Sequence, residues 1–182
     1  VIRKIGASNA ENIYHYFHER EDVEIAAIFT NNPRAGVIDR FHKLGMEVNI
    51  FTRSQFQEES FLKQLEGADL IVLAGFLWLV PAYLIQAFPN RIINIHPALL
   101  PKYGGKGMHG MHVHEAVYEN KEKESGITIH FVNEEYDKGE IILQKKFEIL
   151  PGEKPSEIAH KVHLLEYEWF PKAIEMVIAN RN

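Results

Sequence analysis

The chain has 182 residues, 46% hydrophobic and 25% charged, with 20 Lys and Arg against 25 Asp and Glu and a net charge of −5. This is the balance of a globular protein of about one domain, and it excludes a disordered chain, which holds fewer apolar residues. The longest apolar stretch, Leu70 to Ala82, is shorter than the ~20 residues of a transmembrane helix. The acidic balance argues against a general nucleic-acid binder, and the absence of cysteine removes disulfides, thiolate catalysis and Cys-ligated metal.

No secretory h-region fits within the first five residues, and a cysteine-free chain suits a reducing compartment, so a cytoplasmic location is expected. The chain starts at Val1 rather than Met, and its first strand is short and polar. Residues are therefore expected to be missing near Val1, and some after Asn182.

A helix over 10–18 follows Gly6-Ala7-Ser8-Asn9, with Ser8 or Asn9 as its cap. Residues 24–29 read as a buried strand. Val37, Ile38, Phe41 and Leu44 recur at helical spacing over 35–44, and Gly45 is a stop signal. Residues 47–51 alternate as a strand, and 54–65 read as a helix with Phe61, Leu62 and Leu65 on one face. The continuous apolar run 69–74 reads as a central parallel strand covered on both faces. A short helix over 81–88 has Pro81 at its first position, and 91–95 is the next strand. This alternation predicts an α/β fold of three layers, α/β/α, around a Rossmann-like, mostly parallel sheet. A Pro/Gly-rich loop then spans 97–110, followed by a helix over 111–119, strands over 126–132 and 140–147 joined by the acidic turn 133–139, and a helical tail from Pro155 interrupted at Pro171.

Ligands of open α/β sheets gather at the carboxyl ends of the strands. Three segments lie at or beyond the ends of predicted strands there: the apolar 75–80 and the polar 94–96 and 133–137. Side chains two apart on a strand share a face, so Asn94 and His96 project together. An amide and an imidazole suit acyl transfer, because His moves protons near neutral pH and both groups hydrogen-bond an oxyanion. On spacing alone, a turn-capping Asn and a structural His are the plainer reading. Asp137 beside His96 would raise its pKa and orient it; alone, it reads as a solvated acidic turn. Gly6, Ser8 and Asn9 before the first helix fit a weak anion site. Glu166 lies among Leu164, Leu165, Trp169 and Phe170 and by default reads as a solvated helix charge. His109, His112 and His114 lack further ligands beyond Glu115, so no metal is expected. The loop 102–106 is too small for a nucleic-acid footprint.

Taken in order, Leu73-Ala74-Gly75-Phe76, the run from Arg91 through Asn94-Ile95-His96-Pro97 to Tyr103, Gly126-Ile127-Thr128-Ile129-His130-Phe131-Val132, and Asp137-Lys138-Gly139-Glu140-Ile141-Ile142-Leu143-Gln144 resemble the 10-formyltetrahydrofolate-dependent formyltransferases. The match is strongest from about Asp69 to Gln144, and the whole chain fits the small, single-domain branch of that family. The resemblance implies one domain over 1–182, with a nucleotide/phosphate-binding N-terminal half and a folate-binding C-terminal half. It implies 10-formyltetrahydrofolate as co-substrate, no metal, and the amine of a phosphoribosylated glycinamide as acceptor, in purine biosynthesis. Its partners would be these small molecules, with no nucleic acid or membrane, and the protein would be a monomer or homodimer.

By the same resemblance Asn94, His96 and Asp137 are the catalytic trio. Leu77, Trp78, Leu79 and Val80, with Asn94, Asn133, Glu134, Glu135, Tyr136 and Asp137, bind the folate. Gly6, Ser8 and Asn9 bind the acceptor's phosphate, and Glu166 holds its amine. The Leu100–Pro101 bond is cis in relatives. The chain departs from the family pattern in keeping only Gly6 of the glycine-rich loop, in carrying Trp78 where some relatives have Arg, and in a longer loop over 104–110. A formyltetrahydrofolate hydrolase, a sugar-nucleotide formyltransferase and a non-catalytic folate-binding module are the alternatives. The extra domain of the first, and the RNA-binding domain of methionyl-tRNA formyltransferases, would not fit in this length.

Overall fold

The strand read from the apolar run, β4 (Ile71–Ala74), is buried along its whole length, as a central strand enclosed by helices should be. A computed structural model describes residues 2–3 and 7–180, and the chain divides into two compact units, 1–94 and 95–182.

The first unit holds β1 (Ile2–Arg3), α1 (Ala7–Phe17), β2 (Ile28–Thr30), α2 (Gly36–Lys43), β3 (Val48–Ile50), α3 (Arg53–Gln57), a 3-10 segment (Glu59–Leu65), β4 and α4 (Ala82–Ala87). It ends in β5 (Ile92–His96), which carries the chain into the second unit. Its strands lie in the order β3-β2-β1-β4-β5, and the pairings are parallel. The chain moves outward from β1 to β3 and then returns to the other side of β1 as β4. That reversal is a topological switch point, where such sheets bind ligands.

Helix α2 buries Val37 and Phe41 and turns Asp39, Arg40, His42 and Lys43 outward. Its apolar face closes a core with Ala10, Ile28 and Ala35. A second cluster joins Phe29, Phe51, Phe56, Phe61, Phe76 and Trp78 through tilted and edge-on ring contacts.

Several expected boundaries shift. Helix 54–65 is broken at Glu58, whose backbone is extended. The break has a packing cause: Phe56 and Phe61 are both buried, yet five residues apart they cannot share one face of a continuous helix. A capping box, with Thr52 Oγ1 accepting from Gln55 N–H and Gln55 Oε1 accepting from Thr52 N–H, starts the shorter helix. The strand expected over 24–29 forms only at Ile28–Thr30, and Glu24 and Ala26 are exposed. Helix α1 begins at Ala7, so Ser8 and Asn9 lie in its first turn rather than capping it. Gly6 lies outside the described residues. Pro81 is the N-cap of α4, not its first helical residue.

The second unit holds α5 (Met111–Glu119), β6 (Glu124–Phe131), β7 (Ile141–Glu148) and α6 (Pro155–Ala179). β6 and β7 pair antiparallel, with a register shift between Ile129 and His130. Such an irregularity re-aims the side chain beside it. Helix α6 packs on β6, β7 and α5. It runs through Pro171, against expectation. A mid-helix proline costs about 3 kcal/mol, but Ile158, Val162, Phe170, Ala173, Ile174 and Val177 are all buried on this helix, and that burial outweighs the break. Among the described residues no helix is long and apolar enough to cross a membrane.

Candidate active site

Strand β5 delivers Asn94 and His96 to one face at its carboxyl end. His96 is 4% exposed. The chain beyond β5 passes the cis Leu100–Pro101 bond, as the resemblance implied. This segment is tied to β6 by Thr128. Its Oγ1 donates to the Ala98 carbonyl at 2.7 Å and accepts from Leu100 N–H at 3.0 Å and from Gln144 Nε2 at 2.9 Å. The chain then turns back at Tyr103, whose φ is +57°.

That turn brings the Tyr103 carbonyl 2.7 Å from His96 Nε2. A carbonyl only accepts, so Nε2 carries the hydrogen and donates. The other nitrogen, Nδ1, lies 3.5 Å from Asp137 Oδ2. Asp137 sits in the turn after β6 with φ +55°, a conformation Asp tolerates better than most residues. Asn133 staples that turn: its Oδ1 accepts from Glu135 N–H at 3.0 Å and its Nδ2 donates to the Lys138 carbonyl at 3.2 Å. Glu134 and Glu135 are exposed, Tyr136 is half-buried, and Lys138 pairs with Glu135.

Asp137 Oδ2 also accepts from Gly105 N–H at 2.9 Å, while its Oδ1 faces His130 Nε2 at 3.6 Å. The Nδ1 of His130 donates to the Phe131 carbonyl at 2.8 Å. Asp137 therefore stands between two buried imidazoles, each with its other nitrogen held by a backbone carbonyl. Burial pushes the Asp137 carboxyl up, but His130, His96 and the Gly105 N–H together hold it below its ordinary value. Burial lowers the His96 pKa, against the opposing pull of Asp137 and of the Tyr103 carbonyl.

Glu166 is buried rather than solvated, at 7% exposure, and accepts from His163 Nδ1 at 2.8 Å. That bond raises the His163 pKa. His114 is buried beside them on α5, its pKa lowered by burial against the pull of Glu166, and its Nδ1 has no hydrogen-bond partner. The three loop and helix histidines do not all converge: the His109 and His112 rings lie 5.9 Å apart and His112 pairs with Glu115, whereas His114 is buried. Among the described residues no group of three or more His, Asp or Glu side chains is clustered to hold a metal ion.

In the first unit, Trp78 packs into the aromatic cluster 6.0 Å from Phe51 and 5.8 Å from Phe76, with the Arg53 guanidinium 5.7 Å from its ring. Leu77 is half-buried, Leu79 is exposed and Val80 is buried. Asn9 is 5% exposed. The sequence reading passed over His130, Tyr103 and His163. For His130 a signal existed: Thr128 and His130 are polar and alternate with the apolar Ile127, Ile129 and Phe131, so they share a face.

The Formyl transferase family matches residues 1–174 of the chain. Over 183 residues the chain is 34% identical to phosphoribosylglycinamide formyltransferase of Bacillus subtilis, covering 96% of this chain and 91% of that protein. It is 37% identical over 166 residues to the chloroplastic phosphoribosylglycinamide formyltransferase of Arabidopsis thaliana, covering 87% of this chain and 57% of that one. The chain thus spans just over half the length of that plant relative and, at 53%, of the one from Vigna unguiculata. The solved structure of phosphoribosylglycinamide formyltransferase from Anaplasma phagocytophilum superposes with a TM-score of 0.88 at 27% identity, covering 98% of this chain and 85% of that one. The fold is the α/β fold of those structures, a mixed sheet with flanking helices. The chain belongs to the formyl transferase family.

Proposed function

We propose that the protein transfers the formyl group of 10-formyltetrahydrofolate to the amine of 5'-phosphoribosylglycinamide, a step of purine biosynthesis. The observation that carries this reading is the buried His96–Asp137 pair, with the His96 ring held from behind by a backbone carbonyl. The names of the relatives support the choice of substrates. In this reading the acceptor amine attacks the formyl carbon, forming a C–N bond and placing negative charge on the formyl oxygen. Asn94 donates to that oxyanion, as does His96 once it is protonated by taking up the amine's proton, a contribution of about 10²–10³ in rate per donor. Asp137 balances the imidazolium, and His96 or a water on Asp137 passes the amine's proton to N10. The C–N10 bond then breaks and tetrahydrofolate leaves.

Folate-binding roles are assigned to Leu77, Trp78, Leu79, Val80 and Asn94 in the first unit and to Asn133, Glu134, Glu135, Tyr136 and Asp137 in the second. Gly6, Ser8 and Asn9 are assigned to the acceptor's phosphate, since the start of a helix suits an anion. Glu166 is assigned to the acceptor's amine, which its burial beside His163 supports. The reading takes residues 1–182 as one formyltransferase domain, monomeric or homodimeric, in the cytoplasm, acting on small molecules rather than nucleic acid or membrane. The test is to supply 10-formyltetrahydrofolate labelled in the formyl group. Label arriving on phosphoribosylglycinamide supports the reading; label released as formate marks a hydrolase and overturns it.

A further inference from the structure

The hydrogen on His96 is placed by a loop, and that loop has an anchor outside the trio. We propose that Tyr103 and Glu122 are positioning residues for His96: Glu122 holds the Tyr103 hydroxyl, and this fixes the Tyr103 carbonyl on the imidazole Nε2. The proposal rests on the reading of His96 as the catalytic imidazole.

The contacts form a chain. Glu122 Oε1 accepts from the Tyr103 hydroxyl at 2.9 Å and from Lys102 Nζ at 3.0 Å. The Tyr103 carbonyl accepts from His96 Nε2 at 2.7 Å. Two residues on, Gly105 N–H donates to Asp137 Oδ2 at 2.9 Å. One short loop thus touches both members of the catalytic pair. Between them, Gly104 passes so close that a Cβ there would lie 2.5 Å from Leu100 Cδ2 and 3.2 Å from the Asp137 Cβ.

Tyr103 has its backbone in the left-handed region, which a bulky residue keeps only when its surroundings hold it. Glu122 supplies that hold from a firm base. Its own N–H donates to the Val117 carbonyl at the end of α5, and the next residue's carbonyl accepts from Ile149 N–H beyond β7. The two donors that share its carboxylate hold its pKa below the usual range, so it is charged and its bond to Tyr103 is charge-assisted.

The chemical consequence is a choice of tautomer. With Nε2–H committed to a backbone carbonyl, Nδ1 becomes the nitrogen that gains and loses a proton, and Nδ1 is the one that faces Asp137. A hydrogen bond on one ring nitrogen decides what the other can do. If the Tyr103 side chain is released, the carbonyl loses its fixed direction and the Nδ1–H tautomer gains population, which puts the hydrogen on the wrong nitrogen for accepting a proton. The Lys102–Glu122 pair itself adds little, because Lys102 is 68% exposed and surface pairs of this kind add little stability.

The test combines nitrogen NMR of the histidine side chains, without substrate, with steady-state kinetics. The variants are Tyr103→Phe, Glu122→Ala, the double variant, and Glu122→Gln, which keeps an acceptor oxygen for the hydroxyl. In the wild type, neutral His96 should carry its hydrogen on Nε2. Tyr103→Phe and Glu122→Ala should mix in the other tautomer and lower kcat about five- to tenfold with KM within about twofold. The double variant should be no worse than the worse single, and Glu122→Gln should recover most of the loss. An unchanged tautomer, or kcat losses that multiply in the double variant, would overturn the proposal. Since the NMR signal is read without turnover, it tests positioning even if His96→Ala were to spare formyl transfer and so sink the reading of the site itself.

Discussion

The carboxylate of Asp137 lies 3.5 Å from His96 Nδ1, across the imidazole from the Tyr103 carbonyl that holds Nε2. One nitrogen is committed to the backbone. The other faces a carboxylate at a distance too long for a settled hydrogen bond, so it can take up a proton from a reacting group and pass it on. Asp137→Asn keeps the shape and removes the charge that balances an imidazolium. It should lower kcat by about 10²–10³ with folate affinity almost unchanged. Steady-state kinetics beside folate titration checks this; equal losses in both would deny the role.

The buried histidines give stability a defined pH dependence. His96 and His114 have pKa values lowered by burial from the ordinary 6.5. As pH falls through that value the unfolded chain gains protons that the folded one does not, so their contribution destabilises the fold on the acid side. His163 has the opposite sign. Its raised pKa gives stability that is complete below the unfolded value and is lost as pH rises through the folded one. Asp137, with a lowered pKa, stabilises the fold above the ordinary carboxylate range, and this is lost as pH falls through its folded value. His114→Leu removes one acid-side penalty, so its Tm relative to wild type should rise steadily from about pH 7 to about pH 5.5. Parallel melting curves over that range would contradict the assignment.

Thr128 spans the base of the site with one hydroxyl bonded to Ala98, Leu100 and Gln144. Thr128→Val keeps the volume and leaves the buried Leu100 N–H short of its partner. The expected loss is about 1–3 kcal/mol, the cost of an unsatisfied buried group. Urea denaturation measures it, and a change below about 0.5 kcal/mol would show that the segment finds other partners.

Gly139 lies where the chain leaves the Asp137 turn to enter β7. A Cβ there would overlap the Phe131 carbonyl, next to the Phe131 N–H bond to Glu140. Gly139→Ala should cost about 1–3 kcal/mol by forcing the strands apart and should shift Asp137 away from His96. A Tm and kcat equal to wild type would show that the turn absorbs the methyl group.

The elements whose burial follows one repeating pattern were legible from sequence. Helix α5 falls at the expected 111–119, and β4 within the apolar run. Strand geometry alone put Asn94 and His96 on one face, while their proposed roles came from the family resemblance. The failures arose where tertiary packing overrode local signals. Phe56 and Phe61 each need the aromatic cluster and so break a helix, while the buried face of α6 carries Pro171 through. The hold on His96 had no sequence signature, because its partner is a backbone carbonyl whose direction depends on the left-handed turn at Tyr103. Glu166 read as a surface charge although His163, three residues earlier on the predicted helix, is its neighbour; its burial beside His114 of α5 had no sequence signature.

The most direct measurement follows tetrahydrofolate release from 10-formyltetrahydrofolate, with and without phosphoribosylglycinamide, in the wild type and in His96→Ala. The account predicts release that requires the acceptor and falls by about 10²–10³ in the variant while the folate still binds. Release independent of the acceptor, or undiminished in His96→Ala, would contradict it.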